Sequence, residues 1–184
     1  MTGFEEALEL LKYPATWCEG ADILVEIGDR RALIPLVRAY ETPVEASKVC
    51  LLDAMDALDA AHAALVLCVS EDPEERRMAV HLMELFSDVV FLPALEHALH
   101  DSSPEVRRQA RRSLRCQPQT TAWEALMVRL LESEDEEIRV EAIHSLARRR
   151  TETVRRALAD RLEREPLKTL RDALREAVAE GANG

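Results

Sequence analysis

The chain has 184 residues, 47 % hydrophobic and 32 % charged, a composition that can fill a core and excludes a disordered chain. With only 5 Gly, 4 % aromatics and an abundance of Ala, Leu, Glu and Arg, it excludes β-rich and low-complexity architectures and predicts an all-α protein. A formal net charge of -11 repels nucleic acid. That charge is uneven: residues 1–92 hold 18 acids and 7 bases, and residues 93–184 hold 17 of each.

Along the chain, helix-start signals recur about every thirty residues. Tyr13-Pro14-Ala15-Thr16 is the faintest. Thr42-Pro43-Val44-Glu45, Asp72-Pro73-Glu74-Glu75 and Ser103-Pro104-Glu105-Val106 align on their prolines, spaced 30 and 31 apart. Each puts a capping residue before a proline at the first helical position, where a missing N–H costs nothing. The first two add Glu at the third helical position and predict capping boxes. Asp135-Glu136-Glu137-Ile138 and Lys168-Thr169-Leu170-Arg171 continue the register without the proline. Arg76, Arg107, Arg139 and Arg171 hold equivalent places, spaced 31, 32 and 32 apart.

Each of these helices is preceded by another. One follows Ile27-Gly28-Asp29; another follows Ser87-Asp88 with Val89, Leu92, Leu95 and Leu99 on one face. Thr121-Ala122-Trp123-Glu124 predicts a third capping box, ahead of Leu126, Leu130 and Leu131, and the last of the set carries Val154, Leu158 and Leu162. In the capped helices the apolar stripe is Val106-Ala110-Leu114, then Ile138-Ala142-Leu146, then Leu170-Leu174-Val178. Ala79, Ala110 and Ala142 fall where neighbouring helices must approach closely. No such hairpin could bury its apolar face alone, so neighbours must stack. Residues 1–180 are expected to form one repeat domain, with Gly181–Gly184 as a frayed tail.

The run Ile27-Gly28-Asp29-Arg30-Arg31-Ala32-Leu33-Ile34-Pro35-Leu36 resembles the junction of bacterial HEAT repeats, including the phycobilisome-lyase HEAT-like subfamily. Asp101-Ser102-Ser103-Pro104-Glu105-Val106-Arg107-Arg108-Gln109-Ala110 resembles it too. The resemblance implies a right-handed α-solenoid of about six HEAT-like helical hairpins. It also implies a ladder between repeats, in which Arg76, Arg107, Arg139 and Arg171 pair with Asp72, Asp101, Asp135 or Glu165. The motif specifies fold rather than function.

The chemistry-bearing residues are sparse. Cys18, Cys50, Cys68 and Cys116 are spaced 32, 18 and 48 apart, without a zinc or redox pair, and are expected to be buried reduced thiols of a cytoplasmic protein. The acidic start Met1-Thr2-Gly3-Phe4-Glu5-Glu6 is unlike a signal peptide, and the charge-free stretch from Ala60 to Ser70 is too short for a membrane span. His97 and His100 share a helix face but lack a third ligand; His81 and His144 hold one repeat position on a polar face. No nucleophile elbow or phosphate-binding glycine loop occurs, so no enzyme activity and no cofactor are expected. Deoxyhypusine hydroxylase, a HEAT-like enzyme, binds iron through His-Glu dipeptides, and this chain has none. Trp17 and Trp123 suit either packing or an interface.

That leaves the arginines. Arg108, Arg112 and Arg115 point away from the Val106–Leu114 stripe, and Arg148 and Arg149 follow one repeat later. They form either a solvated face balanced by Glu132, Glu134, Asp135 and Glu137, or a docking groove for an acidic protein. The reading that follows is a non-catalytic protein–protein interaction scaffold binding through Arg108, Arg112, Arg115, Arg148 and Arg149, with no membrane or nucleic-acid partner. The alternative, implied by the subfamily resemblance alone, is a subunit of a bilin lyase-type enzyme acting on phycobiliproteins.

Overall fold

A computed structural model of the chain describes residues 3–182. Every regular element among them is helical, and they fall into two compact units, residues 1–86 and 87–184. The first unit stacks three helical hairpins: α1 (Gly3–Leu10) with α2 (Trp17–Ile27), α3 (Leu33–Glu41) with α4 (Val49–Ala57), and α5 (Ala60–Leu67) with α6 (Pro73–Leu85). The second also stacks three: α7 (Leu92–Ala98) with α8 (Pro104–Cys116), α9 (Thr121–Leu130) with α10 (Glu136–Leu146), and α11 (Glu152–Arg164) with α12 (Lys168–Ala182). Each unit is thus a segment of α-solenoid.

The capped starts follow from local chemistry. Asp72 accepts the Glu74 N–H at 2.9 Å ahead of Pro73, and Ser103 accepts the Val106 N–H at 3.5 Å ahead of Pro104. Asp135 accepts from Glu137 and Ile138 at 2.8 and 3.4 Å. Such a cap stabilises its helix by about 1 kcal/mol.

Two expected caps lie elsewhere. No helix starts at Pro43; residues 42–48 are a loop, because Thr42 turns its hydroxyl back to the Arg38 carbonyl (3.2 Å) and so closes α3 instead of opening α4. Lys48 pins that loop by donating to the carbonyls of Tyr40 and Thr42 at 2.5 and 2.7 Å. At α9 the cap is Thr120 rather than Thr121. Glu124, expected to complete that box, is buried and accepts the Thr151 hydroxyl at 2.7 Å.

The cores follow the stripes. Val106, Ala110, Leu114, Ile138, Ala142, Leu146 and Leu174 are all fully buried. Leu162 and Val178 are only half-buried, and Val89 is 43 % exposed while Phe91 is buried. Asp88 caps a 3-10 turn over Val89–Phe91, whose tighter winding changes the phase of the face before α7 begins. Trp17 and Trp123 are buried, each donating its indole N–H at 2.9 Å to a carbonyl at the end of a preceding helix, Leu11 and Leu114 respectively. Gly20 lets α1 and α2 touch: a Cβ there would lie 2.9 Å from the Ala7 carbonyl oxygen. Helix α12 runs to Ala182, so half of the expected tail is helical; Asn183 and Gly184 lie outside the described residues.

The cysteines differ from expectation. Cys18 and Cys50 form a disulfide with a Cα–Cα distance of 5.3 Å, Cys68 is half-buried and Cys116 is exposed. Cys18 lies on α2 and Cys50 on α4, the second helices of successive hairpins, which pack side by side. The separation of 32 residues is one repeat, so the two side chains meet at equivalent places. None of the four is thus the fully buried reduced thiol expected of it.

The packing makes Ala110→Glu a direct test of the seam. A charge placed at this fully buried position should lower stability by about 3 kcal/mol or more, read as a marked fall in the thermal midpoint. An unchanged midpoint would remove Ala110 from the seam.

Candidate functional site

The repeated arginines bind the backbone. Arg76 Nη1 donates to the carbonyls of Ser70 and Glu71 at 2.8 and 3.0 Å. Arg107 does the same to Asp101 and Ser102 at 2.7 and 3.1 Å, and Arg139 to Ser133 and Glu134 at 2.9 and 2.8 Å. Arg171 closes the series on Glu165 and Pro166 at 2.8 and 2.6 Å. Each thus fastens the carbonyls six and five residues before it, in the turn that joins the two helices of its hairpin. Helix C-termini leave such carbonyls without intrahelical donors.

Three acids of the implied ladder also accept backbone N–H groups. Asp72 and Asp135 cap α6 and α10, and Asp101 Oδ1 accepts the Ser103 N–H at 2.8 Å. A rung between successive hairpins stands at Arg139, whose Nε donates to Glu165 at 3.1 Å. Arg161 donates to the same carboxylate at 2.6 Å, and the Leu167 N–H adds a third bond at 3.2 Å. The Glu165 side chain is fully buried, so two guanidiniums and an N–H replace its water.

Arg115, Arg148 and Arg149 come together in a cleft of about 580 Å³ within the second unit, beside Gln119, Glu141, His144 and Glu176. Arg115 Nε lies 3.4 Å from Glu141, and Arg149 donates to Glu124 at 3.3 Å and Gln119 at 3.4 Å. Arg148 is exposed and holds no ion pair among the described residues. Its guanidinium is the cleft's most available donor set. Arg108 and Arg112 are also exposed but do not line the cleft. Neighbouring arginines are occupied: Arg111 pairs with Glu137 at 2.7 Å, and Arg161 and Arg164 share Glu132. Sequence reasoning missed Gln119, Glu124 and Glu141 as partners of these arginines, and His144 and Glu176 as lining of the cleft. The offset of about one repeat between Arg115 and Arg148 was the available signal.

The guanidiniums of this cleft have the geometry and charge to pair with an anion. His144 is exposed, and among the described residues no three His, Cys, Asp or Glu side chains gather as a metal ion would require. His97 and His100 are exposed on and just after α7.

Residues 92–179 match the family model for HEAT repeats. These residues are HEAT repeats. The matched stretch covers nearly all of the three hairpins of the second unit. No curated protein matches the chain in sequence. Among solved structures, human deoxyhypusine hydroxylase in complex with glycerol is similar at 18 % identity and a TM-score of 0.53, over 98 % of this chain and 74 % of that one. The Escherichia coli protein YibA is similar at 18 % identity and a TM-score of 0.49, over 98 % of this chain and 71 % of that one. At 18 % identity the likeness to deoxyhypusine hydroxylase shows the fold alone.

Within the HEAT repeats, Glu165 sets a pH dependence. Burial pushes its carboxyl up, but hydrogen bonds from Arg161, the Leu167 N–H and Arg139 outweigh that and hold it below the usual carboxylate range. A depressed folded-state value means that the unfolded chain takes up the proton more readily. The stabilisation is therefore present above the ordinary Glu range and is lost as pH falls through the folded value. Glu165→Gln should cost about 3 kcal/mol at neutral pH. It should also flatten the decline of the thermal midpoint between about pH 5 and pH 3. Parallel pH profiles for variant and wild type would contradict this role.

Proposed function

We propose that the protein is a non-catalytic interaction scaffold that docks an acidic segment of a partner protein in the cleft of its HEAT repeats. The observation that carries this reading is the convergence of Arg115, Arg148 and Arg149 on one open cleft of about 580 Å³, with Arg148 exposed and holding no ion pair among the described residues. Planar guanidiniums suit bidentate pairing with carboxylates. Arg115 is exposed and its contact with Glu141 is long, at 3.4 Å, so it can turn to a partner's carboxylate, while Arg149 stays on the buried Glu124. An overall charge of -11 favours a protein over nucleic acid, which needs many uncompensated cations. No described helix is long and apolar enough to cross a membrane.

Affinity capture with wild type and with the double variant Arg115→Glu/Arg148→Glu tests the reading. Both positions are exposed, so the variant should fold and melt as wild type does. A protein retained by wild type and lost from the variant, then bound directly once purified, is the expected result. Equal capture by both would overturn the assignment of the cleft.

A further inference from the structure

The first unit carries a second surface of different chemistry. Helix α5 reads Ala60-Ala61-His62-Ala63-Ala64-Leu65-Val66-Leu67, apolar on every side but for His62. A helix apolar all round belongs in an interior. This one is covered only in part: Leu65 is 36 % and Val66 58 % exposed, and Val69 just beyond is 74 % exposed. Beside it, Ile34 and Pro35 of α3 with Val66 and Leu67 floor a groove of about 510 Å³.

The rim of this groove is basic. Arg30, Arg31 and Arg38 line it, against the single acid Glu75, whose carboxylate is held by the Ser70 hydroxyl at 2.5 Å. Residues 1–86 contain seven lysines and arginines and seventeen acids, so three of the unit's seven bases edge one apolar groove. Arg30 and Arg31 pair with Asp59 and Asp29 in exposed contacts that compete weakly with a buried partner. Arg38 is exposed and holds no ion pair among the described residues.

We infer that this groove is a docking site for a partner's acidic amphipathic segment, with an aliphatic anchor laid on Val66, Leu67, Ile34 and Pro35 and flanking carboxylates on Arg38, Arg30 and Arg31. Charge complementarity selects this occupant. An apolar segment flanked by lysines would meet three guanidiniums, and an anionic membrane would meet the seventeen acids of the unit. An acidic amphipathic segment meets neither obstacle, since it needs only one groove's width of contact. The inference is independent of the cleft in the HEAT repeats, because no residue is shared.

Fluorescence polarisation with a labelled peptide of repeated Glu-Glu-Leu-Leu blocks tests it on the full chain. Two controls replace every Glu by Lys or every Leu by Ser. The acidic amphipathic peptide should bind at least about tenfold more tightly than either control. Binding should fall about tenfold in Arg38→Glu and in Val66→Asp, both surface changes whose melting curves should match wild type. It should persist in Arg115→Glu/Arg148→Glu. Equal binding of the three peptides, indifference to Arg38→Glu and Val66→Asp, or loss in the cleft variant would each overturn the groove. So would preferential binding to phosphatidylserine vesicles.

Discussion

A guanidinium that donates to two carbonyls of its own hairpin's turn is the contact on which the repeat architecture depends. The first helix of each hairpin ends with carbonyls that have no intrahelical donor, yet the turn must be tight enough for the second helix to fold back. In four hairpins the donor is Arg76, Arg107, Arg139 or Arg171, always reaching six and five residues back. The hairpin of α3 and α4 lacks the arginine, and Lys48 serves the carbonyls of Tyr40 and Thr42. In the hairpin of α1 and α2 the donors are the Thr16 hydroxyl, to Leu10 at 2.7 Å, and the Trp17 indole, to Leu11 at 2.9 Å. Six turns therefore meet one requirement with four kinds of donor: guanidinium, ammonium, hydroxyl and indole N–H.

Once the turns are fixed, the stacking of each unit follows from small residues and paired charges. Ala79, Ala110 and Ala142 leave no exposed surface, and the stripes around them are closed. In the HEAT repeats many charges are consumed between neighbouring hairpins: Arg139 on Glu165, Arg161 and Arg164 on Glu132, Arg129 on Glu96. Among the exposed arginines without an ion pair in the described residues, Arg148 in the second unit lines a cleft and Arg38 in the first lines a groove. One cleft is polar, the other apolar with a basic edge, and they suit different ligands. On the proposed scaffold reading, recognition falls to arginines that the packing has not used.

Much of the fold was legible because its determinants are local. Proline at the first helical position, Asp or Ser before it and an apolar residue every third or fourth place all lie within a few residues of one another. The register of the arginines was equally legible, and of their implied acidic partners Glu165 does hold Arg139. The turn carbonyls were not legible, because a backbone carbonyl has no sequence signature. Cys18 and Cys50 were readable in principle, since 32 residues is one repeat, but composition pointed to buried thiols. The loop at 42–48 hid behind a capping box whose threonine is spent on α3. Clefts formed by residues some thirty positions apart, such as Arg115 and Arg148, appear only once the hairpins are stacked.

The turn contact itself is best tested at Arg107, whose hydrogen bonds run to the carbonyls of Asp101 and Ser102, with exposed Arg108 beside it as control. Denaturant unfolding of Arg107→Met and Arg108→Met compares loss of two charge-assisted bonds with loss of a solvated side chain on the same helix. Arg107→Met should lose about 3 kcal/mol and Arg108→Met less than about 0.5 kcal/mol. Equal stability of the two variants would contradict the central place given to the turn arginines.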